Sequence, residues 1–251
     1  MILITNDDGY RARGLRKLSD LMRQIGDVVV ISTEVVMSAK GHSITTNDPL
    51  RLTLLEEEQG YKSYVINGTP VDCVKMGYQV VMDNKPDLVV SGINHGSNAS
   101  VNVVYSGTMA AVVEACMDGI QAIGFSLNSY SSDADFSHVD DYVLKITRDV
   151  LENGLPQGVC LNVNIPKRGI EPIRGIKVCR QARAKWIEAF DVRQDPHGKN
   201  YYWLTGEFVL DDNADDADCI SLEDNYVTVV PTQYDWTAYT ALATMKRLEN
   251  I

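Results

Sequence analysis

The chain has 251 residues, 45% of them hydrophobic, enough to bury one large core and too apolar for a disordered chain. A formal net charge of −11 opposes binding of a nucleic acid duplex, which rests on neutralising many phosphates, but leaves room for a small anion held by a metal or by local positive groups. Apolar runs such as "DVVVIS" fall far short of the roughly 20 residues of a membrane span, and the N-terminus lacks the pattern of an export signal, so a cytoplasmic location and no membrane contact are expected.

Short apolar runs alternate with amphipathic stretches, the pattern of βα units on a mostly parallel sheet. The first strand is predicted at 1–5 and ends in "NDDG". A helix follows, with Leu15, Leu18, Leu21, Met22 and Ile25 on one stripe, and then a strand at 27–32. "HSITTNDPLRLTLL" and "YKSYVING" are rich in β-branched residues and predict a hairpin-like excursion. A buried strand at 87–91 opens into "SGINHGSN", and "YSGTMAAVVEA" starts a helix striped by Met109, Val112, Val113, Cys116 and Met117. Further strands are predicted at 121–127 and 158–164. Beyond about 165 the pattern changes to short strands without an evident partner in the main sheet, then a polar loop and an amphipathic helix over Ala238–Leu248. The predicted fold is α/β, a Rossmann-like mostly parallel sheet flanked by helices. Its core covers about 1–165, and a C-terminal extension over about 166–251 serves oligomerisation.

In a doubly wound sheet, ligands bind beyond the carboxyl ends of the strands where the connections diverge. Asp7 and Asp8 follow the first strand, and the loop holding Asn94 and Asn98 follows the strand at 87–91. In the common strand order these two ends flank one crevice. Two carboxylates, a hydroxyl and an amide oxygen form a hard, all-oxygen set suited to magnesium or manganese. By itself "NDDG" reads as a turn, because Asn, Asp and Gly are turn residues. The balance shifts with Ser106, Gly107 and Thr108, which stand before a helical stripe and offer backbone N–H groups and hydroxyls to an anion. A cation site and an anion site at one sheet edge point to phosphate chemistry.

"ILITNDDG", "SAKGHSIT", "NGTPVDCV", "PDLVVSGINHGSN", "YSGTMAA" and "DPHGKNYYWLTG" occur in the order and approximate spacing of the SurE family of stationary-phase survival nucleotidases. On these blocks the whole chain, 1–251, resembles one SurE-like α/β domain. The resemblance implies a divalent-metal-dependent phosphatase of nucleoside 5′- and 3′-monophosphates, some members also attacking short polyphosphate. It implies one magnesium or manganese ion per subunit, held by Asp7, Asp8, Ser38 and Asn94, with Asp7, Asp8 and Asn94 catalytic. Phosphate oxygens would fall to Ser106, Gly107 and Thr108, with Asn98 orienting the substrate. It also implies a homodimer or homotetramer, because relatives exchange C-terminal elements. The family pattern has glycine directly after the metal-binding serine, where this chain has Ala39, which does not take a positive φ as glycine does.

Two alternatives stand beside this assignment. One is a regulatory module that binds nucleotide without turnover. The other is a phosphatase with a covalent phosphoaspartate, although its DxDx[TV] signature is absent because the two acids are adjacent. Five cysteines without CxxC spacing predict reduced thiols, four of them in apolar or strand-like contexts. His42 and His95 are the two histidines on candidate site loops. The acidic run "DDNADDAD" at 211–218 and the basic run "RGIKVCRQARAKW" are expected to be solvated, and Tyr201, Tyr202 and Trp203 to divide between core and interface.

Overall fold

The computed structural model describes residues 1–131 and 133–251. Strand β1 (Ile2–Thr5) is followed by α1 (Arg13–Met22), β2 (Val28–Thr33), the hairpin strands β3 (Leu52–Glu58) and β4 (Tyr61–Ile66), and α2 (Pro70–Met76). Then come β5 (Leu88–His95), α3 (Gly107–Met117), β6 (Gln121–Asn128), α4 (Asp140–Asn153) and β7 (Val159–Pro166). The remainder supplies β8 (Ile176–Val178), β9 (Ala184–Gln194), β10 (Asn200–Leu210), α5 (Asp218–Glu223), β11 (Val227–Gln233) and α6 (Tyr239–Met245).

Nine strands form one sheet in the order β3-β4-β2-β1-β5-β6-β7-β11-β8, and β9 pairs with β10 in a separate antiparallel ribbon. From β4 to β7 all neighbours are parallel. These six strands, numbered along the chain, lie in the order 3-2-1-4-5-6, the doubly wound Rossmann arrangement. Helix α1 and α4 cover one face, where Leu15, Leu18, Val143 and Ile146 pack on Ile4, Val90 and Phe125. The other face carries α2 and α3, with Val74, Met109, Val112 and Cys116 packing on Leu3, Val89 and Ala122. Both faces are covered, so the central strands are apolar throughout rather than alternating.

Three expectations change. The second strand of the 42–68 excursion is not outside the sheet: β4 is part of the parallel core and β3 alone folds back on it. The strands after 165 do have partners in the main sheet, since β11 runs antiparallel to β7 and β8 parallel to β11. The acidic run is not wholly solvated either. Asp218 is fully buried and its carboxylate accepts the backbone N–H groups of Ser100, Ala182 and Cys219 at 2.7–2.9 Å. It thereby ties the loop after β5 to the C-terminal part of the chain. Asp212 and Asp216 both engage Arg180, so that part of the basic run is already neutralised. The cysteines behave as expected, all five free and four of them buried. Among the described residues no helix is long and apolar enough to cross a membrane.

Candidate active site

The first acids sit in a turn after all, and the turn is what presents them. Asn6, at the end of β1, is buried; its Nδ2 donates to Gly9 O at 3.0 Å, and its Oδ1 accepts the Ser32 hydroxyl from the neighbouring strand. Gly9, at φ +87°, reverses the chain. Asp7 is thereby turned inward, 3% exposed, and Asp8 lies partly open beside it.

Asp7 meets the N-terminus of α3. Its Oδ1 accepts the Thr108 hydroxyl at 2.5 Å, and a Cβ added at Gly107 would stand 2.7 Å from Asp7 Cβ. Only glycine allows that approach. The Ser106 Oγ caps the helix by accepting Met109 N–H, and the Thr108 N–H is directed at the Asp7 carboxylate, so the Gly107 N–H is the donor left free in this first turn. Burial pushes the Asp7 carboxyl up to about 6, with the charge of Asp8 adding to the rise and the Thr108 hydrogen bond opposing it.

The strand-switch inference holds: β1 and β5 are neighbours, and the Asp8 carboxylate accepts the N–H of His95 at 3.1 Å. β5 runs four residues beyond its predicted end, through a register shift between Ser91 and Asn94, which carries Asn94 and His95 to the acids. Asn94 donates its Nδ2 to Gly96 O, which leaves its Oδ1 as an acceptor. Ser38 is exposed on a loop fixed to Asp7 by the Met37 N–H to Asp7 O bond of 2.7 Å. Ala39 departs from expectation: it adopts φ +59°, the left-handed conformation that glycine takes without strain. An alanine there costs about 1–2 kcal/mol. Ala39→Gly is therefore expected to raise stability by about 0.5–1 kcal/mol after the entropy of the unfolded glycine is subtracted. Urea unfolding measures this, and a loss of stability would show that residue 39 is not left-handed in solution.

A cavity of about 490 Å³ joins these groups, within the size range of ligand pockets. Asp7, Ser38, Asn94, Asn98 and Ser106 are among its lining residues, together with Tyr105, Tyr130, Trp186 and Glu188. Asp8, Gly107 and Thr108 are not among the residues that line it. Asn98 is built into a buried amide network, its N–H on Asn164 Oδ1, its Nδ2 on Ser126 Oγ and its carbonyl accepting Asn162 Nδ2. Tyr201, Tyr202 and Trp203 lie exposed on β10 outside the cavity. The aromatic walls come instead from Tyr105, Tyr130 and Trp186, which sequence reasoning did not select. Trp186 is held by its indole N–H on Asn102 Oδ1 at 2.9 Å and by the edge of Phe208.

The donor set fits a hard divalent cation. It combines two carboxylates, an amide oxygen with no donor on it and a free hydroxyl. Among the described residues no three His, Cys, Asp or Glu side chains are grouped to hold a metal ion, so the set depends on its amide and hydroxyl oxygens beside the two acids.

Fold and site together define a doubly wound α/β protein in which two acids and a helix N-terminus meet at the switch point of the sheet. A family model described as Survival protein SurE matches residues 2–188. The chain is 52% identical to a 5′-nucleotidase SurE of Flavobacterium psychrophilum, over 96% of this chain and 95% of that one. It is 53% identical to the protein of the same name from Christiangramia forsetii, over 95% and 93% of the two chains. The crystal structure of the SurE protein from Aquifex aeolicus superposes with a TM-score of 0.84 at 35% identity, covering 99% of both chains. The chain belongs to the SurE family.

Proposed function

We propose that this protein is a divalent-cation-dependent phosphatase that cleaves nucleoside 5′- and 3′-monophosphates to nucleoside and phosphate, with short polyphosphate as a further substrate. The observation that carries the proposal is the contact of the buried, cavity-lining Asp7 with the first turn of α3, which supports a cation held beside a helix N-terminus. Two relatives more than 50% identical are named 5′-nucleotidase, which supports the same substrate class.

Asp7, Asp8, Ser38 Oγ and Asn94 Oδ1 would hold one magnesium or manganese ion, which when bound supplies charge neutralisation at the phosphoryl group. The Gly107 N–H, at the positive end of α3 beside the cavity-lining Ser106, is the backbone donor left for a phosphoryl oxygen, whereas the Thr108 N–H turns to Asp7. The Thr108 hydroxyl has a different part from the phosphate contact expected of it, since it orients Asp7. Asn98 shapes the loop that carries Asn94. Tyr105, Tyr130 and Trp186 form an aromatic wall against which a base can stack. His95 is the one histidine lining the cavity among the described residues, and is the side chain available to carry a proton to the leaving oxygen.

The test is phosphate release from AMP and GMP by purified protein with added magnesium or manganese. Nucleoside monophosphates should outpace sugar phosphates, diesters and duplex DNA should resist, and chelation should abolish the reaction. Tight nucleotide binding without phosphate release would favour a regulatory module instead.

We also infer a cytoplasmic homodimer or homotetramer, with residues after 166 as the assembling part of a single domain. Leu242, Met245 and Leu248 on the C-terminal arm, and Phe190, Val192, Tyr202 and Trp203 on the β9–β10 ribbon, are each at least 46% exposed. Clusters of exposed apolar side chains of this kind mark surfaces that associate with another protein. Light scattering at micromolar concentration is expected to give a dimer or larger species, and a fully active monomer would refute the assembly.

A further inference from the structure

We propose that His42 is a positioning residue, which through Glu114 locks the Ser38 loop onto helix α3 and thereby sets the cation affinity of the site; this rests on the metal-dependent function above. His42 Nε2 lies 2.8 Å from Glu114 Oε2, and since that oxygen belongs to a carboxylate, Nε2 is the donor. Glu114 is 5% exposed, and its other oxygen takes the ammonium of Lys75 from α2. A buried carboxylate is costly where an apolar residue would pack as well, and Lys75 alone would balance its charge. The second oxygen is directed at the loop.

Helix α3 connects the two ends of this arrangement. At its first turn Gly107 and Thr108 touch Asp7; two turns further on, Glu114 grips the loop that starts with Ser38. A single rigid element therefore relates two ligands that come from different connections. The loop has further ties, from Gly41 N–H to Tyr105 O at 3.1 Å, from Thr45 N–H to Asp72 Oδ1 at 3.2 Å and from the Thr69 hydroxyl to Ser43 O at 2.8 Å. All of these use backbone atoms of the loop. His42 is the only loop side chain, among the described residues from 38 to 45, that reaches a neighbouring element by a hydrogen bond.

The experiment measures manganese binding to metal-free protein by the electron paramagnetic resonance signal of free Mn²⁺, which needs no turnover. His42→Ala leaves the Lys75–Glu114 pair intact, so the fold survives, and the dissociation constant should rise at least about ten-fold. His42→Gln restores an N–H donor and should stay within about two-fold of the natural protein. In a Ser38→Ala background the His42→Ala change should have almost no further effect, because the loop no longer supplies a ligand. Unchanged affinity in His42→Ala, or an equal loss with and without Ser38, would overturn the positioning role and leave the metal site standing. Absence of manganese binding by the natural protein would overturn the metal-dependent function and this proposal with it.

Discussion

Asp7→Asn is expected to give a metal-free protein that is more stable than the natural one above pH 6 and yet nearly inactive. Burial raises the Asp7 carboxyl from 3.8 to about 6, so between those values the folded state holds more protons than the unfolded state. Stability then falls as pH rises through that window, and above it the full penalty of the buried charge is present. A shift of about two units corresponds to roughly 3 kcal/mol, as an order of magnitude. Asparagine removes the charge and keeps an oxygen for the Thr108 hydroxyl, so it removes the penalty and the pH slope together. A cation bound as proposed should reverse the ranking, because it would stabilise only the fold that presents two carboxylates. Activity should drop at least about 10²-fold, the scale of one lost preorganised electrostatic contact. Urea unfolding in chelator at pH 5 and pH 7.5, beside phosphate release with metal, checks both halves. A natural protein with no loss of stability between the two pH values would contradict the buried-charge account, and an active variant would remove Asp7 from the site.

That trade of stability for chemistry explains which parts of the molecule could be read in advance. The central strands announce themselves as short apolar runs because both faces of the sheet are covered, and the acids are conspicuous because such a run stops at them. β5 hides its last four residues, since Gly92 and Asn94 are poor strand formers and continue in register with β6 only because the shift after Ser91 allows it. β4 sets Lys62 and Ser63 before Tyr64 and Val65, a half-exposed pattern indistinguishable from a hairpin until β2 is known to lie beside it. Trp186 and Tyr130 reach the cavity from segments far from the acids in the chain, and no local spacing marks them. Asp218 is the plainest case, because nothing in a run of Asp, Asn and Ala distinguishes the carboxylate that three backbone N–H groups bury. The apolar positions of the C-terminal arm were legible as a helix stripe, and α6 with the turn after it occupies most of the predicted 238–248 span. What covers that stripe depends on packing outside the helix.

Gly107→Ala is expected to combine a loss of stability with a near-complete loss of activity, against the direction that helix propensity alone predicts. In an exposed helix, alanine in place of glycine is favourable by about 1 kcal/mol. Here the added Cβ would lie 2.7 Å from Asp7 Cβ and 2.9 Å from Asp7 Oδ2, so either the carboxylate or the first turn of α3 must move. Asp7 has little freedom, with Thr108 on its carboxylate and Met37 on its carbonyl. Overpacking of this kind costs about 1–3 kcal/mol, enough to cancel or exceed the propensity gain. The displacement falls on the atoms where the cation set and the helix N-terminus converge, and a shift near 1 Å costs about 10²-fold in rate. Gly26→Ala is the control, since nothing lies within 4 Å of its added Cβ; it should leave activity unchanged and stability equal or slightly higher. Thermal unfolding and phosphate release of both variants decide the matter. If Gly107→Ala proves as stable and active as Gly26→Ala, the close contact between α3 and Asp7 does not exist in solution, and the facing of cation site and anion site fails with it.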